Sequence, residues 1–186
     1  GFIIDGALAD KFRGLDPRNA KVVKPYFNSD IFNDTFDFRP ILWGIDFGEM
    51  EENAARQFTA PYEHLVQFVK PVRDKLTKQV HEDRFWLYWD KRSAFFAEAA
   101  KKNRILVCGR HTAHLSFAFY DASWVLTEAL QLFCTDSFAD FGLLQSTIHD
   151  AWARKYSSTI GEGLRYSSSD AFDTFAIPAD HSAVNP

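Results

Sequence analysis

Apolar positions recur along the chain with two different periods, and the period changes twice. "IIDGALADKF" near the start reads as a short strand that turns into a helix. "AKVVKPYFNSDIF" places Val22 and Val23 before Pro25, then a polar turn at Asn28, Ser29 and Asp30. "PILWGIDFGEM" predicts a strand over 41–47 ended by Gly48. Tyr62, Leu65, Val66, Val69, Val72, Leu76 and Val80 follow helical spacing over 61–80. Pro61 suits the first turn of that helix, and Pro71 should split it, because proline lacks the donor N–H and clashes with the preceding turn. A further helix is predicted over 91–102. "RILVCGR" and "HLSFAFY" then read as strands, and "SWVLTEALQLFCT" as one or two more. If 104–108 and 115–120 pair as a hairpin, the polar residues between them crowd its turn. "DFGLLQSTIHDAWARKY" returns to helix, with Leu144, Ile148, Ala151 and Trp152 on one face. The order predicts an α+β fold: one domain over 1–178 with a mixed or antiparallel sheet, a helical insertion around 50–102, and a C-terminal helix followed by an extended tail. Residues 179–186 are expected to be the end of that tail.

Composition narrows the class. The chain has 186 residues, is 46% hydrophobic and carries nineteen Phe, so it can bury a core and is far from a disordered composition. No apolar run approaches the roughly 18–20 residues that span a bilayer. Residues 1–12 lack the basic start and apolar stretch of a signal peptide, and the first residue is Gly, as expected of a fragment of a longer chain. Two Cys make no disulfide framework and fit a reduced cytoplasmic setting.

Net charge is −4, which by itself disfavours nucleic acid. The distribution changes that picture. Residues 70–114 hold eleven of the 21 Lys/Arg but five of the 25 Asp/Glu. A basic middle in an acidic chain can form a local anion-binding face, although such runs also occur simply as solvated helix surface.

Candidate chemistry is sparse. Cys108, His111 and His114 have a spacing that matches no usual zinc pattern. Ser146, His149 and Asp150 lie within five residues on one predicted helix, where ordinary surface residues are the simpler reading, and no G-x-S-x-G elbow exists. Gly161-Glu162-Gly163 lacks the third glycine of a dinucleotide fingerprint and reads as a flexible loop. "FWLYW", residues 85–89, reads as core, or as a surface that stacks on bases or docks a protein through Trp86 and Trp89. More informative is "NRILVCGRHTAHLSFAFY", where two apolar strands flank Arg110, His111, Thr112 and His114, with Arg104 at the start of the first. Arginine donates two bonds in a fork that fits guanine O6 and N7 or a phosphate. The serine-rich stretch "KYSSTIGEGLRYSSSDAFDTFAIP" resembles a linker, yet it holds Arg165-Tyr166 and closes on Phe172, Phe175 and Ile177. Anchored at both ends, it can present Arg165, Tyr166 and its hydroxyls.

"PYFNSDIF", "WGIDFGEM", "APYEHLVQFVKPVRDK", "FWLYWDKR", "ILVCGRHTAHLSFAF" and "LLQSTIHDAWARKYSSTIGEGLRYSSSDAFDTFAIP" occur in this order over about residues 1–178. Together they resemble the target-recognition region of fused restriction–modification enzymes of the Mme type. After Arg110 and His111, Thr-Ala-His stands here where that family carries Ser-Lys-His-like residues. The resemblance implies single chains that join a nuclease, an adenine-N6 DNA methyltransferase and a DNA-reading domain. The methyltransferase's Asn/Asp-Pro-Pro-aromatic motif has no counterpart, since the chain contains no Pro-Pro pair, and no Asp/Glu-x-Lys nuclease motif is present. What is implied is a non-catalytic domain of a bacterial or archaeal cytoplasmic enzyme. S-adenosylmethionine and Mg²⁺ are expected in the parent enzyme, not in this segment. The expected partners are double-stranded DNA and the methyltransferase domain of the same chain. Lys/Arg of the 70–114 window would hold phosphates. Arg110, His111, His114 and Thr112 would read bases, with Arg104, Asn28, Ser29, Asp30, Arg165 and Tyr166 as further contacts. The rival readings are a protein-interaction module, whose binding would be insensitive to salt, and a freestanding hydrolase.

Overall fold

The computed structural model describes residues 1–35, 39–76, 84–88 and 92–178. Its elements run β1 (Ile3–Asp5), α1 (Gly6–Leu15), β2 (Val23–Phe27), α2 (Ser29–Asp34), β3 (Leu42–Ile45), α3 (Glu52–Ala55), α4 (Thr59–Phe68), α5 (Lys70–Arg73) and α6 (Ser93–Ala99). They continue with β4 (Arg104–Gly109), β5 (His111–Thr112), β6 (Phe117–Asp121), β7 (Val125–Leu126), β8 (Leu130–Phe133), α7 (Phe138–Leu144), α8 (Thr147–Tyr156), β9 (Ser158–Ile160) and β10 (Gly163–Arg165). A single π-helical turn, Ser168–Phe172, follows. The class is α+β, as the sequence pattern predicts. No helix among the described residues is long and apolar enough to cross a membrane. Backbone contacts divide the chain into two compact units, one of residues 1–27 and 39–91, the other of residues 28–38 and 92–186.

In the first unit β3 pairs antiparallel with both β1 and β2. Asp5 ends β1 and caps α1, its carboxylate accepting from the Leu8 N–H at 2.8 Å, which explains the strand-to-helix switch in "IIDGALADKF". The 61–80 helix begins earlier than predicted, at Thr59, and is interrupted at Val69, because Pro71 cannot donate into the preceding turn. The core holds Ile4, Phe12, Val23, Ile45, Phe47 and Leu65, together with Phe85, Trp86 and Leu87. The aromatic run is therefore core as far as Leu87, and the Trp86 indole donates to the Met50 carbonyl at 2.9 Å. Trp89, Lys78, Lys91 and the tail 179–186 lie outside the described residues.

In the second unit β4 is the central strand, antiparallel to β6 and β8, and its residues Ile105–Gly109 are all buried, which accounts for the unbroken apolar run. Residues 104–108, expected to pair with 115–120, pair antiparallel with 117–121, with Cys108 opposite Phe117. The connection between them is a long excursion that contributes β5 to a second ladder, β5–β10–β9. The second core gathers Leu106, Cys108, Phe117, Phe133, Leu144, Ala153, Leu164 and Tyr166.

Two expectations for the C-terminal third need correction. The helix predicted over 141–156 is two helices, broken at Gln145–Ser146. Gln145 accepts the Phe117 N–H (2.8 Å), and the Ser146 hydroxyl caps α8 by accepting from the His149 N–H (3.2 Å). The break resets the helical phase. Ile148 is 72% exposed, Ala151 is exposed, and His149 and Ala153 face the core instead. The stretch predicted as a Ser/Gly loop is a β-hairpin, β9–β10, in which Ile160 pairs with Gly163. Gly161 sits at the first of the two turn positions with φ of +57°, a conformation glycine adopts without steric cost.

Candidate functional site

The short strand β5 lies where the chain leaves one sheet of the second unit for the other. Gly109 marks the corner. A Cβ there would stand 3.2 Å from both the Ser29 hydroxyl and the Asn33 side-chain oxygen, tighter than ordinary carbon contacts, so glycine lets α2 approach. From α2, the Ser29 hydroxyl (3.2 Å) and the Asn33 amide (3.0 Å) both donate to the His111 carbonyl. On the other side, β10 pairs with β5, setting Arg165 opposite His111 and Leu164 opposite Thr112. Arg110 is pinned by its backbone: its N–H donates to the Ala129 carbonyl (2.9 Å), and its carbonyl accepts from the Tyr166 N–H (2.8 Å). Three stretches far apart in sequence, around residues 28–33, 109–114 and 165–166, thus meet within one unit.

Beside this junction lies an open cleft of about 470 Å³. Arg110, Gln131, Ser157, Ser158, Arg165, Ser167, Ser168 and Asp170 line it, with Tyr156 and Tyr166. The serines are organised locally. The Ser157 hydroxyl accepts from the Ser167 N–H (3.1 Å), and the Ser167 hydroxyl donates to the Asp170 carboxylate (2.6 Å). The Tyr166 ring is 1% exposed, and its hydroxyl meets His149 Nε2 at 3.0 Å. His149 is fully buried, and burial holds its pKa below the ordinary histidine value. Burial likewise pushes the Tyr166 phenol far up, so the pair stays neutral.

Each predicted residue now has a place. Arg110 is half-buried and Arg165 exposed. Neither guanidinium makes an ion pair or hydrogen bond among the described residues, and Arg110 Nε is buried without a partner. His111 is half-buried, its Nε2 also unpartnered, and His114 is exposed. Thr112 and Tyr166, predicted as contacts, are buried. The Thr112 hydroxyl donates to the His114 carbonyl (2.7 Å) and Tyr166 packs in the second core, so both residues shape the junction. Ser29 is buried as a prop for His111, and Asn28 caps α2 by accepting the Ile31 N–H (2.9 Å). The expected polar turn at 28–30 is thus the start of α2, and within it Asp30 is exposed. Arg104 is engaged elsewhere. Its guanidinium lies over Phe119 and Phe138, 4.0 and 4.3 Å from the ring centroids, and donates to the Asp136 carbonyl at 2.9 Å.

Much of the basic window is committed in the same way. Lys70 pairs with Asp74, Arg84 with Glu51, Lys101 with Glu98 and Lys102 with Asp136. Arg92 donates to the Leu126 carbonyl at 2.6 Å. His149 was expected on the helix surface with Ser146 and Asp150. It is core, while Ser146 is a cap and Asp150 pairs with Arg154. Cys108 is fully buried with its thiol pKa raised by desolvation. Asn33 and Gln131 escaped the sequence reading, while Ser157 entered it only as one of the hydroxyls of the serine-rich stretch. Only Asn33 left a signal, four residues after Ser29 and so on the same face of a helix.

The family described as "MmeI, target recognition domain" matches residues 1–179 of this chain, spanning both units. Comparison with curated protein sequences gives no match. Among solved structures, one described as the Type IIL restriction–modification enzyme MmeI in complex with DNA superposes with a TM-score of 0.70 at 17% identity. The alignment covers 98% of this chain and 24% of that one, and at such identity the likeness is one of fold.

Proposed function

The chain belongs to the MmeI target recognition domain family, and from that premise we propose that it reads DNA sequence within a restriction–modification enzyme. The family match over residues 1–179 carries the reading. Supporting it, most of the residues singled out for DNA contact, Arg104 excepted, lie around the β5–β10 pair. In this proposal Arg110, His111, His114 and Arg165 face the duplex. Thr112, Tyr166, Ser29 and Asn33 hold them in place, and Asp30 stands at the margin.

The domain itself is not catalytic. Adenine-N6 methylation, with S-adenosylmethionine, and cleavage, with Mg²⁺, belong to other domains of a longer bacterial or archaeal cytoplasmic chain. A methyltransferase must take its target base out of the stack, and this domain would hold the duplex in register while that happens. Alone it offers one face, so its affinity should resemble nonspecific association, about 10⁻⁴ to 10⁻⁶ M at physiological salt. Burial of Trp86 weighs against the rival docking surface.

The test joins this domain to its native methyltransferase half, maps methylated sites across a genome, and repeats with residues 108–114 exchanged for those of a relative. A change at discrete positions of the methylated site is expected. An unchanged site with a folded protein would remove β5 from recognition.

A further inference from the structure

We infer that the Arg110–Arg165 cleft is a receptor for one phosphodiester group, so that Arg110 anchors the DNA backbone and does not read a base. The inference rests on the DNA-reading proposal for its ligand, and its geometry stands apart from it. Two arginines line one cleft with no carboxylate or carbonyl among the described residues bonded to either guanidinium, and Arg110 carries a buried Nε–H without an acceptor there. Two like charges lining one cleft with a single carboxylate, Asp170, leave an excess of positive charge, and a buried donor without an acceptor is costly. An anion in the cleft relieves both. Its chemistry follows from what else lines the walls. The Ser157, Ser158 and Ser168 hydroxyls are further donors, as is the second N–H of the Gln131 amide, whose nitrogen also donates to the Tyr166 carbonyl (3.5 Å), and a tetrahedral oxyanion has acceptor sites for several at once. A guanine edge has two, which one arginine fills.

The charge balance selects the kind of anion. Arg110 and Arg165 contribute two positive charges, and Asp170, held by the Ser167 hydroxyl, contributes one negative. A net single positive charge matches the single negative charge of a phosphodiester better than the dianion of free phosphate. The cleft is also open, as a group flanked by two sugars requires.

Arg165→Gln, Arg110→Gln and the double variant would be measured for binding to a random-sequence duplex over a range of salt. Each single variant is expected to weaken binding about tenfold and to lower the slope of log K against log salt by about 0.9, the value of one phosphate. The double variant should lower the slope by that same amount, because both arginines hold one phosphate. In the parent enzyme Arg165→Gln should methylate the same sites more slowly. A double variant that loses two contacts' worth of slope, or a methylated site that changes, overturns the inference. A second arm titrates dimethyl phosphate, with inorganic phosphate for comparison, while the Arg110 and Arg165 Nε–H resonances are followed by NMR. Both should move with dimethyl phosphate and saturate at lower concentration than with inorganic phosphate. If they move while the chain binds no duplex, the cleft stands and the DNA reading falls. If the chain binds duplex and the glutamine variants bind as well as the parent, the cleft falls and the DNA reading stands.

Discussion

Arg73 in the first unit and Arg110 in the second are both half-buried arginines at the ends of short elements, and their surroundings differ completely. The Arg73 guanidinium lies 4.7 Å from the centroid of the Phe2 ring and donates to the Phe85 (2.9 Å) and Leu87 (2.6 Å) carbonyls, with a longer contact to Arg84 (3.4 Å). It ties α5 to the aromatic core. Arg110 is held by its backbone alone, and its side chain donates to nothing among the described residues. Burial and charge therefore do not distinguish an arginine bonded into the core from one left without an acceptor. The acceptors around it do.

That contrast can be tested from the largest expected effect downward. Trp86→Ala should cost about 3–5 kcal/mol in chemical denaturation, since a buried indole and its bond to Met50 are lost together. A cost under about 1 kcal/mol would take the aromatic run out of the first core. Arg73→Met should cost about 2–3 kcal/mol, the scale of charge-assisted hydrogen bonds to carbonyls then left unmet. Tyr166→Phe should cost about 1–2 kcal/mol by leaving His149 Nε2 without its partner.

The same pair gives a pH dependence. The folded pKa of His149 lies below its unfolded value near 6.5, so the unfolded chain takes up the proton first. Stability is full above about pH 6.5 and declines as pH falls toward the depressed folded value, by at most about 1.4 kcal/mol per pH unit for one proton. His64, in the first unit, is shifted the same way by burial, so His149→Gln should reduce this decline between pH 6.5 and 5 without abolishing it. An unaltered pH profile would mean that His149 is not held neutral by the fold. The smallest effect is expected of Ile148→Ser, within about 0.5 kcal/mol, because its side chain is 72% exposed and fills no core. A cost of 2 kcal/mol at Ile148 would restore the single long helix that its spacing suggests.

Much of the fold was legible because it depends on local signals. The capped switch at Asp5, the split at Pro71 and the buried β4 all follow from residues within a few positions. The site was legible in part. Arg110, His111 and Arg165 stood out as polar residues in apolar or serine-rich settings, but nothing in their spacing showed that Arg165 pairs opposite His111. The hairpin of residues 158–165 was missed because serine and glycine are loop formers by local preference, and its partner strand lies some fifty residues earlier. Ile148 was misplaced because the serine cap at Ser146 starts a new helix with a new phase.

The sequence alone determined the α+β class, the elements whose signals are local, the likeness to the target-recognition family and the residue types able to meet DNA. Only the tertiary structure decided which of those residues are free to do so. Whether a guanidinium or hydroxyl is available depends on which acceptors the fold brings beside it: Asp136 and two phenylalanines for Arg104, the His114 carbonyl for Thr112, His149 for Tyr166, and none among the described residues for Arg110 and Arg165.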